Sequence, residues 1–259
     1  MSVKPESGSR NTYHKNLLIV SFSIVVIVSS LTVYLFVANN SFNDTNNSNG
    51  VVHVKTEGEL VKAIDNAKKG THVIITLDKN IDLTATITIP AHKKITLTSN
   101  SNNAFKLVGA DYKSTLSVQT DGILILDNIV VTHKEGCEGR GVLVVRGGQL
   151  FLLSGKISGN AATSKDSILV EDGYGGGVYN NGIFKMSGGE ISGNKAITGG
   201  GVSNTGTFTM YGGKISGNNA YWSGGGVYNW NGVFNRSGGT VTGNSARQNN
   251  SDNVYNETY

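Results

Sequence analysis

Cysteine occurs once and proline twice in the 259 residues, and only 15% of the chain is charged. A single Cys excludes an intramolecular disulfide framework and a Cys-based zinc site, so packing and hydrogen bonding must hold the fold. Glycine is frequent at 35, yet Gly and Pro together make only about one residue in seven, short of a collagen or low-complexity composition. Leu, Ile, Val and Phe are too common for a disordered chain, so one large domain or two small ones are expected. Charge of one sign is scarce as well. The net charge is +4, with Lys4, Arg10 and Lys15 in the first 16 residues and mixed signs afterwards. No basic stripe is present, which sets nucleic acid aside as a partner.

Leu17 to Ala38 run 22 positions without a charge. As a helix that stretch covers roughly 33 Å against a hydrocarbon core of about 30 Å. The rival reading is a cleaved signal peptide, but such apolar regions usually span about 7–15 residues and want a small residue where Phe36 stands. The basic residues precede the span, and Asn39 to Gly50 contain Asp44 and no Lys or Arg. The positive-inside bias then leaves the N-terminus in the cytoplasm and the remainder outside, a single-pass plasma-membrane protein with an external C-terminal domain. Asn39 to Gly50 reads as a polar linker with sequons at Asn39, Asn43 and Asn46.

Between Thr56 and Gly70 lies the one good helix pattern. Thr56 and Glu59 form a capping box, Leu60, Ala63, Ile64 and Ala67 make an apolar stripe, and Gly70 is the stop. Beyond it the sequence repeats. Gly175 opens GGGVYNNGIFKMSGGEISGN, and similar units open at Gly199 and Gly224, steps of 24 and 25 residues. Three apolar columns run through the units: Val118, Val144, Val178, Val202 and Val227; Leu124, Leu150, Phe184, Phe208 and Phe234; Ile129, Ile157, Ile191, Ile215 and Val241. Each column sits in a short alternating run bounded by Gly pairs or Asn-Gly, the pattern of three strands joined by turns. A unit of that length cannot bury its own apolar side and must stack on its copies. The period and glycine content exclude helical repeats, and the leucine pattern of leucine-rich repeats is missing. A parallel β-helix remains, rising about 4.8 Å per coil. Asn180, Asn204 and Asn229 close the first strands, and Asn160, Asn194, Asn218 and Asn244 the third. These columns are read as structural corners, with Asn taking the left-handed backbone and amides bonding from coil to coil.

The units GGGVYN, FKMSGG and ISGN resemble the repeats of right-handed parallel β-helix proteins of the pectate-lyase-like superfamily, especially adhesin-like surface proteins of bacteria and archaea. The resemblance is close from Gly139 to Asn244 and looser back to about Val73. It implies an all-β solenoid of about six to seven coils with an N-terminal capping helix. The repeats also resemble those of polymorphic outer-membrane proteins, but neither an autotransporter barrel nor an LPxTG-like signal is visible, so the N-terminal span is the expected anchor. The expected organisation is a cytoplasmic tail 1–16, signal-anchor 17–38, linker 39–50, strand and capping helix 51–72, β-helix 73–255 and tail 256–259. Arg236 replaces the apolar residue of its column, Trp230 lies in an insertion, and the last residues are polar, as a solenoid end requires.

Some proteins of that superfamily are polysaccharide lyases or hydrolases, and the resemblance carries such an activity only where matching carboxylates exist. From Gly175 to Asn244 the sole carboxylate is Glu190, so the regular coils offer no calcium cluster or carboxylate pair. No cofactor or metal is expected, and no nucleophile or phosphate loop is visible. Carboxylates gather instead in two excursions, His133 to Arg140 and Ala161 to Tyr174, which leave one corner of successive coils; Asn219 to Ser223 is expected there one further coil on, with Tyr221 and Trp222, so that the three segments form a surface about three coils tall. Glu135, Glu138, Arg140, Asp166, Glu171, Asp172, Tyr174, Tyr221 and Trp222 are the candidate binding surface for an extracellular glycan or protein. The plainer reading makes these solvated loop charges and loop-base aromatics, with Cys137 an unpaired loop thiol. The leading expectation is a non-enzymatic, adhesin-like interaction protein. The alternative is a lyase or glycoside hydrolase working through the corner-loop carboxylates.

Overall fold

The computed structural model of the protein describes residues 51–100, 104–163, 173–248 and 253–257. The expected span 17–38 and the linker with its sequons lie outside the described residues. Among the described residues no helix is long and apolar enough to cross a membrane.

Helix α1 spans Glu57–Asn66. The Thr56 hydroxyl accepts from the Glu59 N–H at 3.2 Å, and the Glu59 carboxylate accepts from the N–H of Lys55, one residue before the cap, at 2.6 Å. Leu60, Ala63 and Ile64 are buried and join the core of the strands that follow. The helix ends before the expected stop. Ala67 is extended and its N–H turns back to the Ile64 carbonyl, while Gly70, at φ +76°, donates to the His92 carbonyl in the following coil.

Past α1 the chain winds through about seven turns of a parallel solenoid with three main walls. The Val wall holds Ile87–Ile89, Leu116–Val118, Val142–Val144, Val178–Asn180, Val202–Asn204, Val227–Trp230 and Val254–Glu257. The Leu/Phe wall starts with Val51–Val54, His72–Leu77 and Lys94–Ser99, continues through Ile123–Leu126, Gln149–Leu152, Ile183–Met186 and Thr207–Met210, and ends at Val233–Arg236. The Ile wall contains Ile81–Asp82, Lys106–Gly109, Val130–His133, Lys156–Ser158, Glu190–Ser192, Lys214–Ser216 and Thr240–Thr242. Every pairing between these strands is parallel, and the registers match Val144 with Val118 and Phe208 with both Phe184 and Phe234.

Alternation fixes which side chains fill the prism. In Ile183–Met186, Phe184 and Met186 are inside with no exposed surface, while Ile183 and Lys185 are outside and part-exposed. The Phe184 and Phe208 rings stack at 4.5 Å, and Phe208 and Phe234 at 4.9 Å. Each such side chain contributes about 1.5–3 kcal/mol by leaving water. The alternation of inward and outward positions keeps the register, because a one-residue slip would turn the buried column outward.

Three expectations need correction. Ile157 pairs with Val131, not with Ile129. Ile129 is buried in the turn before that strand, and its carbonyl accepts from the Lys156 N–H at 2.8 Å. The spacing from the last core residue of the Leu/Phe wall to the Ile wall is conserved as Leu126 to Val131 and Leu152 to Ile157, which the type match at Ile129 obscured.

The corner asparagines are not left-handed. The preceding glycines take that backbone, with Gly159, Gly193, Gly217 and Gly243 at φ +64 to +68°, and the Asn side chains turn inward. Glycine is preferred there because a Cβ is disfavoured at positive φ.

The polar end, finally, is not all tail. Val254–Glu257 pairs with Val227–Trp230 as one more strand of the Val wall, two residues beyond the expected limit of the β-helix. Arg236, meanwhile, does stand opposite Met210 and is exposed in the last strand of the Leu/Phe wall, where a charge blunts a free sheet edge.

Candidate interaction surface at one corner of the coils

Each coil passes from the Ile wall to the Val wall through one corner. Here four two-residue strands, Ala161–Ala162, Lys195–Ala196, Asn219–Ala220 and Ser245–Ala246, form a small parallel ladder of their own. It was not anticipated, although Ala162, Ala196, Ala220 and Ala246 recur two positions after the corner Asn and are all buried. A methyl side chain is what fits where two walls converge.

The corner is held from within by an amide ladder. Nδ2 of Asn160 donates to Oδ1 of Asn194, Asn194 to Asn218, and Asn218 to Asn244, each at 2.9 Å. Each Nδ2 also donates to a main-chain carbonyl of the coil before: Asn194 to Ile157, Asn218 to Ile191 and Asn244 to Ile215. Asn253, outside the expected column, accepts from Asn244 at 3.1 Å and ends it. The second ladder joins Asn180, Asn204 and Asn229, and passes to Asn256. Neutral amides carry two donors and an acceptor each, so a buried stack satisfies itself without charge.

The loops over this corner are spread over six successive levels, from 110–114 to 245–248, so the expected surface does not close within three coils. Gly139 and Ala161 exchange main-chain bonds at 2.7 and 2.9 Å, tying the segment 134–140 to the start of the next excursion. Glu138 is part-buried. Its N–H donates to the Asp111 carboxylate at 2.7 Å, its carbonyl accepts from the Tyr112 N–H at 2.7 Å, and Oε1 accepts from the Thr163 hydroxyl at 3.0 Å. Glu135 is exposed. Lys134 reaches Asp82 at 2.9 Å. Two coils beyond the Tyr174 level, with Ile197 and Thr198 on the coil between, Tyr221 and Trp222 meet edge to face at 5.7 Å and keep 37% and 49% of their surface exposed. The Arg247 guanidinium lies 5.6 Å from the Tyr221 ring centre.

Two expected members of the surface belong to the scaffold instead. Arg140 is buried, its guanidinium 5.2 Å from the centre of the Tyr179 ring. Tyr174 is part-buried and stacks with Tyr179 at 5.9 Å and Tyr228 at 6.5 Å, covering the small outward residue Ser203 between them. Tyr228 continues the row to Tyr255 at 5.7 Å, and its hydroxyl donates to Glu257 at 2.6 Å. Burial first, and the Glu257 carboxylate second, hold that hydroxyl protonated well beyond the usual tyrosine range. Asp166, Glu171 and Asp172 lie outside the described residues. In their place the structure adds Tyr112, 71% exposed in the loop of the preceding coil. The insert ADYKST before Leu116 was its signal in the sequence.

No family model, curated protein or solved structure matches the chain. The chemistry is therefore read from the side chains themselves. Among the described residues no three His, Cys, Asp or Glu side chains are grouped to hold a metal ion. Glu190, the carboxylate of the regular coils, faces outward on the Ile wall and pairs with Lys156 at 3.3 Å. Burial works against its charge, but hydrogen bonds from Ser192 and Lys156 hold its carboxyl below the ordinary range. What the corner presents is Tyr112 one coil before the exposed Glu135 and, three coils after it, Tyr221 and Trp222 beside the Arg247 guanidinium, groups suited to stacking and hydrogen bonding.

Proposed function

We propose that this protein is a membrane-anchored, surface-displayed β-helix that binds an extracellular glycan or protein through the corner surface, without catalysis. The observation that supports the reading is the exposed cluster of Tyr221 and Trp222 beside Arg247 at one corner of a rigid scaffold, with Glu135 and Tyr112 exposed at the same corner three and four coils earlier. Loops displayed by rigid walls are favoured binding positions, and exposed aromatic rings supply contact area at low entropic cost. The uncharged stretch 17–38 supports the anchor, and the charge bias around it supports the external position of the solenoid. The resemblance to adhesin-like repeats, close over the coils that build the corner, supports the same role.

Arrays of glycans and of extracellular matrix proteins, probed with the purified full chain and with Trp222→Ala, test it. The reading expects binding to one class that drops at least tenfold in the variant. Equal binding by both chains would refute the corner surface as the site.

A further inference from the structure

Six Asn-x-Ser/Thr sequons occur in the chain, and they are unevenly placed. Asn39, Asn43 and Asn46 precede the coils, and Asn235, Asn249 and Asn256 lie toward their far end. None falls between Asn46 and Asn235, although that stretch holds most of the two asparagine ladders. A ladder asparagine has no amide to spare, because its Nδ2 is spent on the next rung and on a main-chain carbonyl. Asn256 is engaged too. It accepts from Asn229 at 3.2 Å, and the residue after it, Glu257, accepts from the Tyr228 hydroxyl. Asn249 and Thr258 lie outside the described residues. Asn235-Arg236-Ser237 is the sequon that lies wholly within them.

Asn235 sits in the last strand of the Leu/Phe wall, Val233–Arg236, opposite Thr209. Phe234 turns inward onto Phe208, so alternation points Asn235 outward, and Asn235, Arg236 and Ser237 are all exposed. Among the described residues its side chain makes no hydrogen bond, and no strand pairs with the far edge of Val233–Arg236. The amide nitrogen is therefore reachable from the outer face and from the end of the solenoid. The repeat changes at this level. Earlier units read Phe184-Lys185-Met186-Ser187 and Phe208-Thr209-Met210-Tyr211, which form no sequon, and the last reads Phe234-Asn235-Arg236-Ser237. Asn enters the outward position in the coil whose edge is open. Apolar surface lies open beside it: Val233 is 50% exposed two positions earlier on the same face, and Tyr211, 39% exposed, holds the place of Ser237 one coil before. An edge strand with exposed apolar side chains is a template for pairing with another chain, and a single charge at Arg236 is a thin guard.

We propose that Asn235 is an N-glycosylation site whose glycan shields the open edge of the Leu/Phe wall. This rests on the reading that the coils are exported, since the sugar is added on the far side of the membrane. The donor is an oligosaccharide joined through its C1 to a polyprenyl diphosphate. Nδ2 of Asn235 forms a bond to C1, the C1–O bond to the diphosphate breaks with its electron pair leaving on the diphosphate, and the amide gives up one proton. Nothing is oxidised or reduced. Ser237 supplies the hydroxyl that the sequon requires. A glycan is bulky and solubilising, and here it displaces no core side chain, because Asn235 contributes none. Standing on the outward face beside Val233, it keeps a second chain from approaching the free edge closely enough to pair.

The test is glycopeptide mass spectrometry of the full chain isolated from the membranes of the cell that makes it. Sugar on Asn235, lost in Ser237→Ala and kept in Ser237→Thr, supports the site. A bare Asn235 overturns it, and the other outcomes say whether export falls with it. Sugar confined to Asn39, Asn43 or Asn46 leaves export standing, as does an unglycosylated chain whose coils are digested by protease on intact cells. An unglycosylated chain whose coils stay protected takes the export reading down as well. Shielding is read separately by sedimentation of the purified full chain. Ser237→Ala, which keeps Asn235 but lacks the sequon, should self-associate at concentrations at least about tenfold lower than the wild type. Equal association by both chains would overturn the shielding role and leave the site.

Discussion

Replacing Asn194 by Ala removes one rung of the buried ladder and measures what the corner is worth. Asn194 is fully buried and takes part in four side-chain hydrogen bonds. Its Nδ2 donates to the Ile157 carbonyl and to Asn218, and its Oδ1 accepts from the main-chain N–H and the Nδ2 of Asn160. At about 1 kcal/mol net per bond the loss is about 4 kcal/mol, and stranding the buried Asn160 N–H adds about 1–2. For a domain of this size that corresponds to a fall in Tm of roughly 10–20 °C. The neighbouring exposed Lys195→Ala, whose side chain takes no part in the amide ladder, should stay within about 0.5 kcal/mol. Urea and thermal melts followed by circular dichroism give both values. Asn194→Asp keeps the accepting oxygens but loses both donors and puts a carboxylate near the Asn218 oxygen, so its deficit should narrow in acid, where protonation returns one donor. A cost for Asn194→Ala no larger than for Lys195→Ala would show that the ladder stabilises nothing, and the reasoning would fail.

Phe208→Ala opens a gap between Phe184 and Phe234 and should cost about 3–5 kcal/mol, whereas the outward neighbour Thr209→Ala should cost well under 1, both read from denaturant midpoints. Burial, and secondarily Lys94, lower the His72 pKa to about 4. An uncharged folded histidine that charges on unfolding costs stability as pH falls from about 6.5 toward 4, so His72→Gln should flatten that part of the acid limb in a Tm-against-pH series. Protease added to intact cells should digest the coils and spare only a short N-terminal fragment. Coils that stay protected when accessibility controls pass would contradict the external position.

Much of the fold was legible because a solenoid writes its geometry as columns. Val144 over Val178 and Phe184 over Phe208 follow from a fixed period and strand alternation, and the capping box at Thr56 is a local pattern with a local cause. Residue type alone misled where the period slipped, as at Ile129, since a turn buries an Ile as readily as a strand does. Backbone handedness was assigned to Asn rather than to the glycine before it, because both residues tolerate positive φ and only the direction of the side chain separates them. Spacing put the loops on one corner but skipped the level of Lys195 to Thr198, so Tyr221 and Trp222 stand two coils beyond the second excursion and not one, and burial within the loops could not be read at all. Arg140 and Tyr174 look like surface residues in sequence and are covered by rings from coils some tens of residues away. The repeat of Val-Tyr-Asn at 254–256 was visible in the sequence, masked by the polar residues around it.

The most direct test of the account is to pass defined acidic and neutral polysaccharides over the immobilised full chain, measuring both retention and the length of the polymer recovered. The account predicts that any polymer retained emerges uncut, and that retention falls at least tenfold with Trp222→Ala. Shortened chains, with new ends appearing in proportion to contact time, would show a catalytic protein and contradict the central claim.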